Sequence, residues 1–341
     1  MKINVAIIGS TGYTGYELVK ILAKHPNINI KYLTSRSSKD EIYTNIYQQL
    51  KHILPDIKCI EDDIDKISKE VDVIFLALPH GVSTAKINQD VLNKNKIIDL
   101  SADFRLKDLT IYEQWYCKHN SPELLKNTVY GLAEIYREQI KTAKLIANAG
   151  CYTTCSILTL YPLLKHNLID VDNIIIDAKS GVSGAGRSVN FNSMFCENNE
   201  NVKAYKIASH RHTPEIEQEL SIACNQNIKV QFTPHLIPMN KGILTTCYAK
   251  LKTNLNETEI RKIYKEQYKN DYFVRILDEN FFPETKFVIN TNFIDIQIKV
   301  DERTNNIIAI GAIDNLIKGA SGQAVQNMNI MFGFDEKTAL L

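Results

Sequence analysis

Residues 3–25 read INVAIIGSTGYTGYELVKILAKH, and the order of features in this stretch decides the fold. INVAIIG (3–9) is nearly continuously apolar, as a strand buried on both faces of a parallel sheet must be. In YELVKILAKH (16–25) the apolar residues recur at helical spacing. Between them lies GSTGYTG, with glycines at 9, 12 and 15. Strand, glycine turn and helix in direct succession read as a dinucleotide site, against the alternative of a plain strand–helix turn. The glycines allow a tight turn and bring bare backbone to a pyrophosphate, and the first-turn amides of the helix point at it. Gly9, Thr11, Gly12, Tyr13, Thr14 and Gly15 are therefore the expected phosphate-binding residues.

Outward from that unit, INIKYL (28–33), VDVIFLAL (71–78), KIIDL (96–100) and KLIAN (144–148) read as further strands separated by helices. That alternation predicts a Rossmann-type α/β domain with a parallel sheet. The second strand runs into LTSRSSKD (33–40), where Arg36 lies 21 residues past Gly15 with Ser35 and Ser37 beside it. An NAD site usually has a carboxylate there for the ribose hydroxyls. Arg and hydroxyls suit a 2′-phosphate instead, so NADP is the expected cofactor, against the alternative of a solvated arginine in a surface loop. ALPHG (77–81) follows another strand at its carboxyl end, which adds Pro79 and His80 to the candidates although proline and glycine shape a turn in any case. DLSADFRL (99–106) presents Arg105, whose planar fork suits a carboxylate or phosphate, or else a structural pair with Asp103.

Beyond residue 150 the strands lengthen and alternate more clearly: 173–180, 228–238, 242–252 and 293–300. Their spacing predicts antiparallel pairs in a mixed sheet, with helices at 152–165, 214–225 and 257–268. The C-terminal segment 314–331 is helical after its glycines and is expected to return to the first domain. The domains are thus 1–149 with 314–341, binding NADP, and an α+β catalytic and oligomerisation domain over 150–313.

Composition narrows the function. The 341 residues suffice for two domains, and the formal net charge of +1 creates no field that would draw nucleic acid or a membrane surface. No apolar stretch approaches the roughly 20 residues of a membrane span, and no signal peptide precedes the first strand, so a cytoplasmic location is expected. The seven cysteines are odd in number and lack C-x-x-C spacing, which argues against a disulfide framework and against a metal site.

One of those cysteines opens a helix. In NAGCYTTC (148–155) Cys151 follows a strand and Gly150, where free amides and the helix dipole favour thiolate. A small buried residue at a helix start fits the same context. Cys155, one turn deeper among apolar neighbours, reads as packing. SHRHTPEIEQEL (209–220) sets His210 and His212 before another helix, with Thr213 as its cap and Pro214 at the first helical position. Neutral imidazoles held there suit proton transfer. SGVSGAGR (180–187) leaves a strand with donors at Ser180, Ser183 and Arg187 and a bare backbone at Gly184, as a ligand loop or a flexible connection would.

GSTGYTGYEL, DLSADFR, YGLAE (130–134), NAGCYTT, SGVSGAGR, HRHTPEI, PHLIPMNKGI (234–243) and NLIKGASGQAVQNMN (315–329) occur in that order across nearly the whole chain. Together they resemble the N-acetyl-gamma-glutamyl-phosphate reductase family, NADPH enzymes of arginine biosynthesis. The resemblance implies a homo-oligomer, dimer or tetramer, whose second domain is related to those of the glyceraldehyde-phosphate and aspartate-semialdehyde dehydrogenases. It implies that the Cys151 thiolate attacks an acyl phosphate to form a thioester, that His212 or alternatively His210 moves the proton, and that Arg105 and Arg187 hold phosphate or the substrate carboxylate. Ser180 joins them, Ser183 and Gly184 are implied cofactor contacts, and Asn315 and Gln323 are either cofactor contacts or helix caps. The chain departs from the pattern at Ala149 and Thr153, where the family carries prolines, and at Lys241, where arginine is expected. Two rival readings are a sibling enzyme that reduces aspartyl phosphate and a non-catalytic NADP-binding sensor. HRHTPEI and SADFR favour the N-acetylglutamyl reading.

Overall fold

The computed structural model describes residues 2–341, with the side chain of Asn192 left aside. The chain divides into two compact units, Met1–Gly150 with Ala320–Leu341, and Cys151–Gly319. The second boundary falls six residues beyond the expected 313/314 because 314–319 bonds within the second unit. Asp314 accepts the Asn290 amide at 2.7 Å, and Asn315 accepts the Gly242 amide at 2.7 Å.

In the first unit, β1 (Ile3–Ile8), β2 (Ile28–Thr34), β3 (Cys59–Ile60), β4 (Val73–Leu76), β5 (Lys96–Asp99), β6 (Thr128–Gly131) and β7 (Leu145–Asn148) form one seven-stranded sheet. Its order is β3-β2-β1-β4-β5-β7-β6 and every pairing is parallel. The four residues of β4 are all buried, which is why this strand reads as an unbroken apolar run. β6 was not expected, since TVYG is too short and too mixed to stand out. Helix α1 (Tyr13–Leu22), α2 (Ala133–Thr142) and the C-terminal helix Gly322–Met331 pack in this unit. The C-terminal helix is buried all round, and several of its polar residues find partners inside. Asn327 donates to Gly131 O at 2.9 Å and to Asn148 Oδ1 at 3.0 Å.

In the second unit, β8 (Ile174–Ser180), β9 (Lys203–Ala204), β10 (Val230–Leu236), β11 (Ile243–Lys250), β12 (Val274–Ile276), β13 (Ile294–Asp301) and β14 (Asn306–Ile313) form a mixed sheet in the order β12-β13-β14-β11-β8-β10-β9. One expected pairing is corrected: β8 and β10 run parallel, His235 opposite Lys179. The chain between them holds a helix (Thr213–Cys224), and a parallel pair needs that kind of crossover. β14 is an addition, paired antiparallel to both β11 and β13.

Helix α3 (Cys151–Lys165) is buried on almost every side, which explains its lack of a polar stripe. Pro162 sits inside it and cannot donate to Leu158 O. The Tyr268 hydroxyl supplies that bond at 2.6 Å, and Tyr264 donates to Thr159 O at 2.6 Å. Tyr268, at the C-cap of the helix Glu257–Gln267, thus replaces the bond that Pro162 lacks, and Tyr264 of the same helix holds the next carbonyl.

Candidate active site

The glycine turn of the first unit is built as the dinucleotide reading requires. Gly9 has φ +81°, a conformation that side chains rarely adopt. A Cβ on Gly15 would lie 2.4 Å from Gly9 O and 2.7 Å from Ser10, so the turn closes only over a bare residue. Gly12 stands at the N-cap of α1 and no side chain caps the helix. Its first-turn amides are therefore directed to a ligand or water. Gly15→Ala is expected to weaken NADPH binding at least about tenfold while the protein stays folded, as read by cofactor fluorescence and circular dichroism.

Sequence reasoning missed what supports this turn. Tyr43 donates to Ser10 O at 2.8 Å, Tyr47 to Thr11 O at 2.7 Å and Ser321 to Thr14 O at 2.9 Å. Local pattern gives no sign that residues so distant in the chain meet there. Beyond β2, Ser35 is buried, and its hydroxyl lies 2.9 Å from that of Thr11 and 3.4 Å from that of Ser37. The exposed Arg36 guanidinium lies 3.4 Å from Asp62. Hydroxyls and a cation at the end of β2 fit a nucleotide with a 2′-phosphate better than one with free ribose hydroxyls.

Pro79 and His80 are exposed beyond β4. His80 Nδ1 accepts the Ala102 amide at 3.0 Å, leaving Nε2 as its N–H. The turn after it is held by Asp103, whose carboxylate accepts amides of Gly81, Ser83 and Thr84 at 2.7, 3.0 and 3.3 Å and the Tyr112 hydroxyl at 2.9 Å. Asp99 beneath it accepts Ser83 and Ser101 hydroxyls at 2.8 and 2.6 Å; burial, then Asp103, raises its carboxyl to about 6. Arg105 is buried and donates to Leu100 O at 2.8 Å. Gln323 is fully buried in the C-terminal helix.

In the second unit Cys151 is half-buried as the first residue of α3. A Cβ on Gly319 would lie 2.8 Å from Cys151 Cβ, so a bare backbone closes one side of the cysteine. Cys155 is buried 3.3 Å from the Thr245 hydroxyl, and burial pushes its thiol up to about 12. That environment suits packing and not ionisation.

Tyr152 connects the cysteine to the histidines. Its ring packs edge-on against His210 at 5.5 Å and His212 at 6.1 Å. His212, and not Thr213, occupies the N-cap of helix α4 (Thr213–Cys224), and no side chain caps it, which corrects the expected capping. The His212 amide donates to His210 Nδ1 at 3.1 Å, which fixes the His210 proton on Nε2, 3.5 Å from the Tyr205 hydroxyl. Tyr205 donates to Tyr152 at 3.2 Å, and Tyr152 to His235 O at 3.3 Å. Burial, then Lys206 and Arg211, lowers His210 to about 3. His210 is therefore a buried neutral ring at the root of a hydrogen-bonded chain, while His212 is half-buried. Thr153, where the family pattern has proline, donates to the buried Glu215 carboxylate at 2.8 Å and ties the first turn of α3 to that of α4.

The SGVSGAGR turn is no loose connection. The amides of Gly181, Val182 and Ser183 donate to Gly242, Met239 and Asn240 carbonyls at 2.9, 2.9 and 3.1 Å. Asn315 accepts from the Gly242 amide at 2.7 Å and donates to the Ser183 hydroxyl at 3.0 Å, so both ends of its amide hold this turn. Ser180 is buried and donates to Gly181 O at 2.9 Å. Gly184 and Arg187 are exposed, and Lys241 reaches Asn290 at 3.1 Å. Tyr152, Tyr205 and Gly319 are the parts of this site that sequence reasoning missed. Among the described residues no group of three or more His, Cys, Asp or Glu is placed to hold a metal ion, and no helix is long and apolar enough to cross a membrane.

A parallel dinucleotide sheet followed by a cysteine-bearing α+β unit defines the semialdehyde dehydrogenase class. Family models agree: the semialdehyde dehydrogenase NAD-binding domain matches residues 4–143 and the dimerisation domain matches 151–315. Aspartate semialdehyde dehydrogenase II of Vibrio cholerae, complexed with ASA, has a TM-score of 0.73 at 16% identity, covering 98% of this chain and 99% of that one. The Candida albicans enzyme, solved with NADP, has a TM-score of 0.70 at 14% identity, covering 97% and 99%. At such identities the likeness is one of fold. Curated relatives carry the particular family. The N-acetyl-gamma-glutamyl-phosphate reductase of Lachnoclostridium phytofermentans is 52% identical over 339 residues, covering 99% of this chain and 98% of its own. That of Campylobacter jejuni is 55% identical over 342 residues, covering 100% and 98%. The chain belongs to the N-acetyl-gamma-glutamyl-phosphate reductase family.

Proposed function

We propose that the protein reduces N-acetyl-L-glutamyl 5-phosphate to N-acetyl-L-glutamate 5-semialdehyde with NADPH, through a thioester at Cys151, in arginine biosynthesis. The observation that carries this reading is Cys151 itself, half-buried at the amide-rich mouth of α3. There the helix N-terminus favours thiolate, the form that attacks a carbonyl. The thiolate adds to the acyl-phosphate carbon, and the tetrahedral oxyanion re-forms C=O as phosphate leaves, giving the thioester. NADPH, when bound, supplies the hydride that reduces that carbon. His212 lends a proton to the resulting oxyanion and takes it back as the carbonyl re-forms and the thiolate leaves. The assignment to His212 is supported by the engagement of His210, whose Nδ1 accepts a backbone amide and whose Nε2 faces Tyr205. First-turn amides of α3 stabilise the oxyanion. Arg105, Arg187 and Ser180 are assigned to the phosphate and the carboxylate, and Ser183 and Gly184 to the cofactor along with the residues of the glycine turn.

The second unit supports a homo-oligomer. Ile175, Asp177 and Lys179 of β8, Leu244, Thr246 and Tyr248 of β11, and Ile308 and Ile310 of β14 leave one sheet face only partly covered. A second copy of the chain is the occupant we assign to it, and sedimentation at micromolar protein would read this as a dimer or larger. No disulfide joins the seven cysteines, as suits the reducing cytoplasm. Assaying NADPH oxidation with N-acetylglutamyl phosphate and with aspartyl phosphate tests the function. Turnover of the first at least about 10³-fold faster in kcat/KM is expected, and preference for the second, or turnover of neither, would replace this reading.

A further inference from the structure

Three charged side chains from three successive loops meet at the carboxyl edge of the first sheet. Arg36 follows β2, Asp62 follows β3 and Lys86 follows the turn Ser83–Ala85 beyond β4. Lys86 Nζ lies 2.9 Å from Asp62 Oδ2 and also donates to Asp62 O at 3.2 Å. Arg36 Nη2 lies 3.4 Å from the same Oδ2. The two cations differ in how they are held. The Lys86 side chain is 17% exposed and engaged twice, whereas that of Arg36 is 71% exposed and engaged at a longer distance. Burial alone would raise the Asp62 carboxyl, but Lys86, then Arg36, holds it below the usual range, so it is firmly ionised.

We infer that Lys86 and Asp62 are specificity-determining residues for the dinucleotide: Lys86 neutralises Asp62, which leaves Arg36 free to turn to a 2′-phosphate. This rests on the NADP reading above. A carboxylate one arginine's reach from the phosphate site is a problem for a phosphorylated nucleotide, since it repels the phosphate and competes for the guanidinium. A tightly bound lysine removes both effects, because the Asp62 charge is already satisfied when the phosphate arrives. A cofactor with a free 2′-hydroxyl gains nothing from this arrangement. The discrimination thus depends on a lysine whose ammonium is held by the carboxylate and the carbonyl of Asp62.

The test is fluorescence titration of the full-length protein with NADPH and with NADH, for the parent, Lys86→Gln, Asp62→Asn and the double variant. Lys86→Gln is expected to weaken NADPH about tenfold and NADH less than about twofold, because Asp62 then keeps Arg36. Asp62→Asn in the Lys86→Gln background is expected to return NADPH to within about twofold of the parent, and Asp62→Asn alone to bind NADPH at least as well as the parent. Equal weakening of both nucleotides, or no recovery in the double variant, would overturn the inference and assign the pair to loop packing. A parent that binds NADH as tightly as NADPH would overturn the NADP reading and this inference together. A parent that prefers NADPH with Lys86→Gln unaffected overturns this inference alone.

Discussion

Cys151→Ser is expected to lower kcat at least about 10³-fold while NADPH still binds within about twofold of the parent. A serine hydroxyl keeps the volume and the place at the mouth of α3, but it does not ionise near neutral pH without a dedicated base. Without thiolate there is no thioester, and the reduction loses its two-step route. Nucleotide binding is assigned to the glycine turn after β1 and should not register the change. Cys155→Ser is the matched control. Its thiol is buried beside the Thr245 hydroxyl, a partner that a serine can use equally well, so near-parent activity is expected. Steady-state rates together with cofactor fluorescence read both variants. Full activity in Cys151→Ser would remove the covalent step.

His212→Asn is expected to lower kcat about 10²–10³-fold with KM little changed, because a proton donor acts on the developing oxyanion and not on bound substrate. His210 should behave differently. Its folded value of about 3 lies far below the ordinary 6.5, so the fold holds the neutral ring. An unfolded chain takes up a proton as pH falls through 6.5, while the folded protein resists until about 3. The stability contributed by neutral His210 is therefore complete above pH 6.5 and is lost progressively below it. The melting temperature of His210→Gln should fall less steeply across that window than the parent's. A kcat loss in His210→Gln as large as that of His212→Asn would reverse the two assignments.

The parts of this protein legible in its sequence are those dictated by local backbone chemistry. Buried parallel strands read as unbroken apolar runs, and the turn at 9–15 reads as glycines because Gly9 needs a positive φ and Gly15 has no room for a side chain. The position of Cys151 at a helix start was likewise visible, since strand, Gly150 and helix follow one another. What stayed hidden depends on partners distant in the chain. The parallel pairing of β8 with β10 is set by the crossover through α4, and strand alternation alone does not distinguish parallel from antiparallel. The neutrality of His210 comes from burial beside Tyr152, Tyr205 and Phe232, none of which its neighbours in sequence announce. Thr153 read as the loss of a stiffening proline. In the fold its hydroxyl holds Glu215, a constraint between two helices that replaces one within a single turn.

The central claim is the acyl-enzyme, and it can be weighed directly. Full-length protein mixed with N-acetylglutamyl phosphate in the absence of NADPH, quenched in acid and digested, should yield one peptide carrying an N-acetylglutamyl group on Cys151, and this adduct should disappear when NADPH is added before the quench. An unmodified Cys151 under conditions that support turnover, or an adduct confined to another cysteine, would contradict the account.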